Sequence, residues 1–209
     1  MSIDIKANKE EFIELLKSTG REGVEDLLEY LEEGKNDFFR APASTRFHLN
    51  EEGGLCQHSL NVCHAGLQLR ELAIAERPDL ESDLSRESVI IVTLLHDINK
   101  SDIYKPTMKK VKGAFGIWEE VPGYDVDYSN LPLGHGEKSA IMALLGGLEI
   151  YEEELIAIRW HMTAWDLAFQ SPEAKNNINT ARDKYPLVAL LQLADGMAAN
   201  IFEFTHKRD

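Results

Sequence analysis

The segment Val89-Ile90-Ile91-Val92-Thr93-Leu94-Leu95-His96-Asp97-Ile98-Asn99-Lys100 constrains this chain more than any other. Apolar residues at nearly every position require burial on most sides. The run then ends in an imidazole and a carboxylate, whose burial is costly unless each finds a partner. Adjacent side chains at a helix end can converge on one ion, and a carboxylate can serve two ions through its two oxygens. A buried His–Asp hydrogen-bonded pair with no metal satisfies the same residues.

The 209 residues suit one domain with a substantial core. A hydrophobic content of 44% with 28% charged residues is that of a globular protein. No apolar run reaches the length of a membrane span, and the opening MSIDIKANKEEF is unlike a signal peptide. Cys56 and Cys63 fall in one expected helix about two turns, roughly 10 Å, apart, too far for a disulfide, and a reducing cytoplasm is the expected setting. A net charge of −14 argues against a broad basic face for duplex nucleic acid. It leaves room for a small phosphorylated substrate whose charge is met locally by metal ions.

Helical spacing of Phe12, Leu15, Leu16, Leu27, Leu28 and Leu31 predicts two helices over 8–34, broken at Gly20 and Gly23. Residues 36–54 read as loop, Leu55 to Ile74 as a helix, and Ser85 as the N-cap of the helix ending at His96-Asp97. The acidic residues of 10–33 and 149–154 read as solvated helix faces. Residues 101–131 are the non-helical block, with short alternating pieces between glycines and prolines that suggest a hairpin. Helices are expected again over His135–Leu148, Glu152 to about Trp165, and Tyr185–Phe204, with Pro186 in the first turn of the last.

Four histidines sit where ligands would have to be. His58 lies on the buried stripe of its helix, a position that by itself more often holds a satisfied core histidine. His161 lies on the stripe Leu155, Ile158, His161/Met162, Trp165. His135 opens its helix between glycines that allow close backbone approach, with Lys138 a candidate for phosphate near the helix N-terminus. Asp195 belongs to the stripe Val188, Leu191, Asp195, Ala198, Phe202, and no lysine or arginine of that helix can pair with it. An unpaired buried carboxylate is prohibitive, so a metal is the economical partner. Arg46 and His48 precede the first ligand helix and could reach a phosphate. His64 and His206 read as structural or idle, and Asp166 as an orienting group or a surface residue.

The order His58 … His96-Asp97 … Asp195 resembles the H…HD…D motif of the HD-domain metal-dependent phosphohydrolases over about residues 44–204. Gly-Gly-Leu-Cys-Gln-His-Ser-Leu upstream and Leu-Ala-Asp downstream strengthen the likeness. Gly-His-Gly-Glu-Lys-Ser and Arg-Trp-His-Met further resemble small phage- and bacteria-associated members of that group. The Gly-Tyr-Pro motif of cyclic-dinucleotide phosphodiesterases is lacking. The resemblance implies an all-α, HD-domain/phosphodiesterase-like helical bundle with a small β-hairpin-like excursion near 105–130. It would form a single domain over 1–209, with 1–40 a helical N-terminal cap and 44–204 the catalytic core. It implies that His58, His96, Asp97 and Asp195 hold one divalent transition-metal ion, and that Asp97, His135 and His161 hold a second. Imidazole with carboxylate suits Mn, Fe, Ni, Co or Zn. Asp97 and Lys100 would be catalytic, and Arg46, His48 and Lys138 would bind substrate, a phosphomonoester or phosphodiester, of a nucleotide by preference. Two rivals are a single-strand nucleic acid phosphodiesterase using Lys105, Lys109, Lys110 and Lys112 beside Trp118, Tyr124 and Tyr128, and a non-catalytic nucleotide-binding module.

Overall fold

A computed structural model describes residues 3–33, 37–46, 48–113, 116–163 and 172–203. The described chain is mostly helical, with one two-stranded antiparallel sheet. Helices α1 (Ile5–Lys17) and α2 (Val24–Glu33) precede the long α3 (Gly54–Glu76) and the central α4 (Arg86–Leu95). A single helical turn, α5 (Lys100–Ile103), leads into strands β1 (Tyr104–Lys112) and β2 (Trp118–Val126). Helices α6 (His135–Leu145), α7 (Glu152–Trp160), α8 (Pro172–Lys184) and α9 (Pro186–Met197) follow, and a π-helical turn at Ala198–Phe202 closes the described chain.

Helix α4 explains its own sequence. Every residue from Ser88 to Leu95 is buried, because α1, α3, α6, α7 and α9 all pack around this one helix. Burying each such Val, Ile or Leu contributes about 1.5–3 kcal/mol. Ser85 caps it, its hydroxyl accepting from the Ser88 amide at 3.1 Å. His96 sits at the C-cap, so the apolar helix delivers His96 and Asp97 to the middle of the bundle.

The hairpin expected near 105–130 is present, with Tyr104 opposite Val126 and Lys112 opposite Trp118. Pro122 and Gly123 do not interrupt β2, since a two-stranded ribbon leaves one side of each strand free of ladder bonds. In the described residues no single helix is long and apolar enough to cross a membrane.

Three expectations need correction. Helix α8 has no counterpart in the sequence reading: PEAKNNINTARDK is polar and asparagine-rich, with Ile178 and Ala181 as its buried apolar residues. The π-turn rotates the last stripe, so Phe202 is about half exposed rather than inward. The N-terminal helices pack on the domain, with Phe12 and Leu16 in the main core and Phe12 in an aromatic cluster with Phe38 and Phe39. Residues 149–154, expected as a solvated face, are not merely that, for Glu154 is fully buried. It takes both guanidinium nitrogens of Arg21 at 2.8 Å and the Ser88 hydroxyl at 2.8 Å, while Arg21 stacks on Tyr151. Gly23, at φ +80°, allows this junction, since a Cβ there would lie 1.9 Å from the Gly147 carbonyl oxygen.

Removing one member of a buried, bidentate ion pair leaves the other charge uncompensated. Glu154→Ala should therefore lower the unfolding free energy by about 3–5 kcal/mol in urea titrations. A loss below about 1 kcal/mol, the range of surface pairs, would show that the pair does not hold the N-terminal helices down.

Candidate metal centre

Six side chains from five helices meet at one point. His58 comes from the middle of α3, His96 and Asp97 from the end of α4, His135 from the first position of α6, His161 from the C-cap of α7 and Asp195 from α9. His58, His96, Asp97 and His161 are buried, whereas the side chains of His135 and Asp195 keep 24% and 22% of their surface open. The centre thus has a closed floor and an open edge.

Asp97 divides its two oxygens between two groups. Oδ2 lies 3.4 Å from His58 Nε2 and 3.3 Å from His96 Nε2, and Asp195 Oδ1 stands 3.5 and 3.9 Å from the same nitrogens. Oδ1 faces the other way, 2.7 Å from His135 Nε2 and 3.5 Å from His161 Nε2. Ligands held by bonds of about 2.0–2.2 Å around one ion stand roughly 3.0–3.6 Å apart, so most of these separations match a shared ion.

The tautomers point the same way. His96 Nδ1 donates to the Thr93 carbonyl at 2.8 Å, and His161 Nδ1 donates to the Ile158 carbonyl at 2.7 Å. His58 Nδ1 donates to Glu203 at 2.9 Å, and Glu203 also accepts from Asn61 at 3.0 Å. With Nδ1 committed as the donor, a neutral ring turns its Nε2 lone pair inward. His58 Nε2 and His96 Nε2 then face each other at 3.3 Å, which requires a proton or a cation between them. Among the described residues, His161 Nε2 is buried without a hydrogen-bond partner. An orphaned ring nitrogen 3.5 Å from a carboxylate oxygen fits a metal ligand and is costly otherwise. These buried groups can hold a metal ion.

The ionisation pattern follows from the crowding. Burial alone would raise the Asp97 carboxyl, but the Lys100 ammonium and then His96, His135 and His161 hold it well below the usual range. Asp195 is also lowered, with His58 and His96 outweighing its burial. Burial acts to lower His58 and His161, yet the carboxylates around them raise both. For His135 burial prevails and its pKa falls.

The remaining candidates separate cleanly. Lys100 Nζ donates to Asp97 Oδ2 at 2.5 Å, at the centre itself. His48 approaches from the preceding loop, its Nε2 3.7 Å from Glu203 Oε2 and its ring 5.2 Å from that of His58. Arg46 is exposed on that loop. Lys138, expected to meet phosphate, is instead buried, paired with Asp102 at 2.5 Å and donating to the Asn130 carbonyl at 2.7 Å. His64 bonds Glu11 on the surface, and Trp165, Asp166 and His206 lie outside the described residues. The sequence reading missed Glu203, Asn61 and Asn99. Asn61 lies three residues beyond His58, on the same face, which was a usable signal. Asn99 Nδ2 stands 3.0 Å from His135 Nδ1, and Ser139 bonds Asn99 in turn.

Comparison with family models, with curated proteins and with solved structures gave no match. The geometry of the centre is therefore the ground for any functional reading.

Gly136 sets the spacing of His135 and His161. A Cβ at this position would lie 2.3 Å from the Arg159 carbonyl oxygen, so α6 can close on the end of α7 only without a side chain there. Gly136→Ala should separate the two histidines and weaken by about tenfold or more the binding of any ion held between them and Asp97. Glu203→Gln, which loosens the orientation of His58, should cost about 10–100-fold in metal affinity. Both are measured by competition with a chromogenic chelator, and wild-type affinity in either variant would remove that residue from the supporting set.

Proposed function

We propose that this chain is a metal-dependent phosphohydrolase of the HD type, acting on a phosphomonoester or phosphodiester of a nucleotide. The observation that carries this reading is the division of Asp97, with Oδ2 toward His58, His96 and Asp195 and Oδ1 toward His135 and His161. His58, His96, Asp97 and Asp195 would hold one divalent transition-metal ion, and Asp97, His135 and His161 a second. Bound ions of this kind lower the pKa of water toward neutrality and neutralise charge on a phosphoryl group.

The chain's own residues contribute the rest. His58, His96 and His161 form a floor closed to bulk water, so substrate enters over the open edge at His135 and Asp195. Lys100 is mostly buried, and its Asp97 partner keeps it protonated, so it brings a fixed positive charge to the place where phosphoryl oxygens would gather. The Glu203–His58 and Asn99–His135 contacts hold ring orientation while charge builds. The nucleic acid alternative is weakened because two of its four hairpin lysines, Lys105 and Lys109, are tied to Asp127 and Asp125.

Protein purified without chelator or affinity nickel should contain about two transition-metal ions per chain. Asp97→Ala should lose both the ions and at least about a hundredfold of its turnover of a phosphoester substrate. Full metal-dependent turnover in that variant would end the proposal. Metal affinity should also rise with pH. The ligands bind as neutral imidazole, and the raised pKa values of His58 and His161 mean that an ion must displace protons from both near neutrality. A pH-independent affinity between pH 6 and pH 8, bracketing the ordinary histidine pKa of about 6.5, would contradict that assignment.

A further inference from the structure

A cleft of about 910 Å³ lies between the hairpin and the loop that joins α2 to α3. Its volume suits an organic ligand larger than a phosphate group. It adjoins the centre through Tyr104, which lines the cleft, stands four residues beyond Lys100 and is close enough for Lys100 and Asp97 to act on its phenol.

The two walls differ in chemistry. The antiparallel register sets Pro106 opposite Tyr124 and Met108 opposite Pro122, and puts Tyr104 on the same face of the ribbon. That wall carries two phenol rings, two proline rings and one thioether, and the phenols suit stacking a planar ring. The facing loop supplies Asp37, Glu51 and Glu52, and the wall's one guanidinium, Arg40, is paired with Glu52. Among the described residues no cation pairs with Asp37 or Glu51, although the Phe39 amide donates to Asp37 at 2.9 Å. An anionic group here would be repelled, and an exocyclic amino group would find an acceptor, while a ring N–H flanked by a carbonyl sets that oxygen against the carboxylate. The negative potential acts within the cleft itself: burial first, then Glu52 and Glu51, push the Tyr124 hydroxyl upward.

We propose that this cleft binds the non-phosphate end of the ligand and selects a planar heteroaromatic ring bearing an amino group, with Tyr104 and Tyr124 stacking it and Glu51 accepting from the amino group. The inference rests on the phosphohydrolase reading for what occupies the adjacent centre. The ring preference itself needs no metal and no turnover, so the two fail separately.

The test is calorimetric titration of the full chain, stripped of metal, with adenosine against inosine and cytidine against uridine. The amino-bearing member of each pair should bind about tenfold more tightly, a difference of about 1.4 kcal/mol. Glu51→Gln, at an exposed loop position, should abolish the preference, and Glu51→Lys should reverse it. Tyr124→Ala should weaken all four ligands alike. Equal affinity within each pair, or a preference unchanged in Glu51→Gln, overturns the proposal even if the loaded protein hydrolyses phosphoesters. Choline binding without nucleoside binding would also overturn it, since the acidic wall would then serve a simple cation. Amino-selective binding in a protein that shows no turnover with any metal would sustain the cleft assignment and defeat the hydrolase reading.

Discussion

Burial of the Asp97 carboxylate is the interaction on which the rest of this structure depends. A buried, unneutralised carboxylate would cost more than the whole stability of a typical domain. Here it is surrounded by four imidazoles and one ammonium, drawn from α3, α4, α5, α6 and α7. Those helices cannot shift independently without stripping a partner from that charge. The apolar sheath of α4 and the polar knot at its end are thus two parts of one solution, in which the sheath fixes where the helix ends and the knot fixes what must surround that end.

Outside the centre, two devices keep the helices in register for it. The Arg21–Glu154 pair ties the N-terminal helices to the start of α7, whose other end carries His161. Gly136 lets α6 close on that same end. Lys138, Asp102 and Asn130 then fasten the return of the hairpin beneath α6. Lys138 reads as a phosphate candidate in sequence and turns out to be a buried tether. Its aliphatic stem and single charge serve either role, and only tertiary packing decides which.

Much of the centre was legible because buried polar residues on apolar stripes are costly and so need a reason. His58, His161 and Asp195 were each placed by helical spacing, and His96-Asp97 by the abrupt end of an apolar run. What the sequence concealed lay where periodicity carries no information. Glu203 follows a π-turn that breaks the 3.6-residue pattern, so its approach to His58 could not be projected along α9. Helix α8 has too few apolar residues to show a stripe, and Glu154 looks like any acidic first-turn residue until Arg21 arrives from a distance of 133 positions in the chain. The hairpin was visible from alternation and turn residues, yet its place as one wall of a cleft depends on a loop that precedes it by three helices.

The contact between Lys100 and Asp97 has a bearing on how the protein matures. With the ammonium resting on Oδ2, the carboxylate already has a counter-charge, so the bundle can complete its packing before any ion arrives. Under the proposed function, loading would be a late exchange at a finished scaffold rather than a step that nucleates folding, in contrast to small zinc domains that are unstructured until metal binds. The composition of the centre would record which ion the cell offers at that moment, and the same chain could carry different metals in different growth conditions.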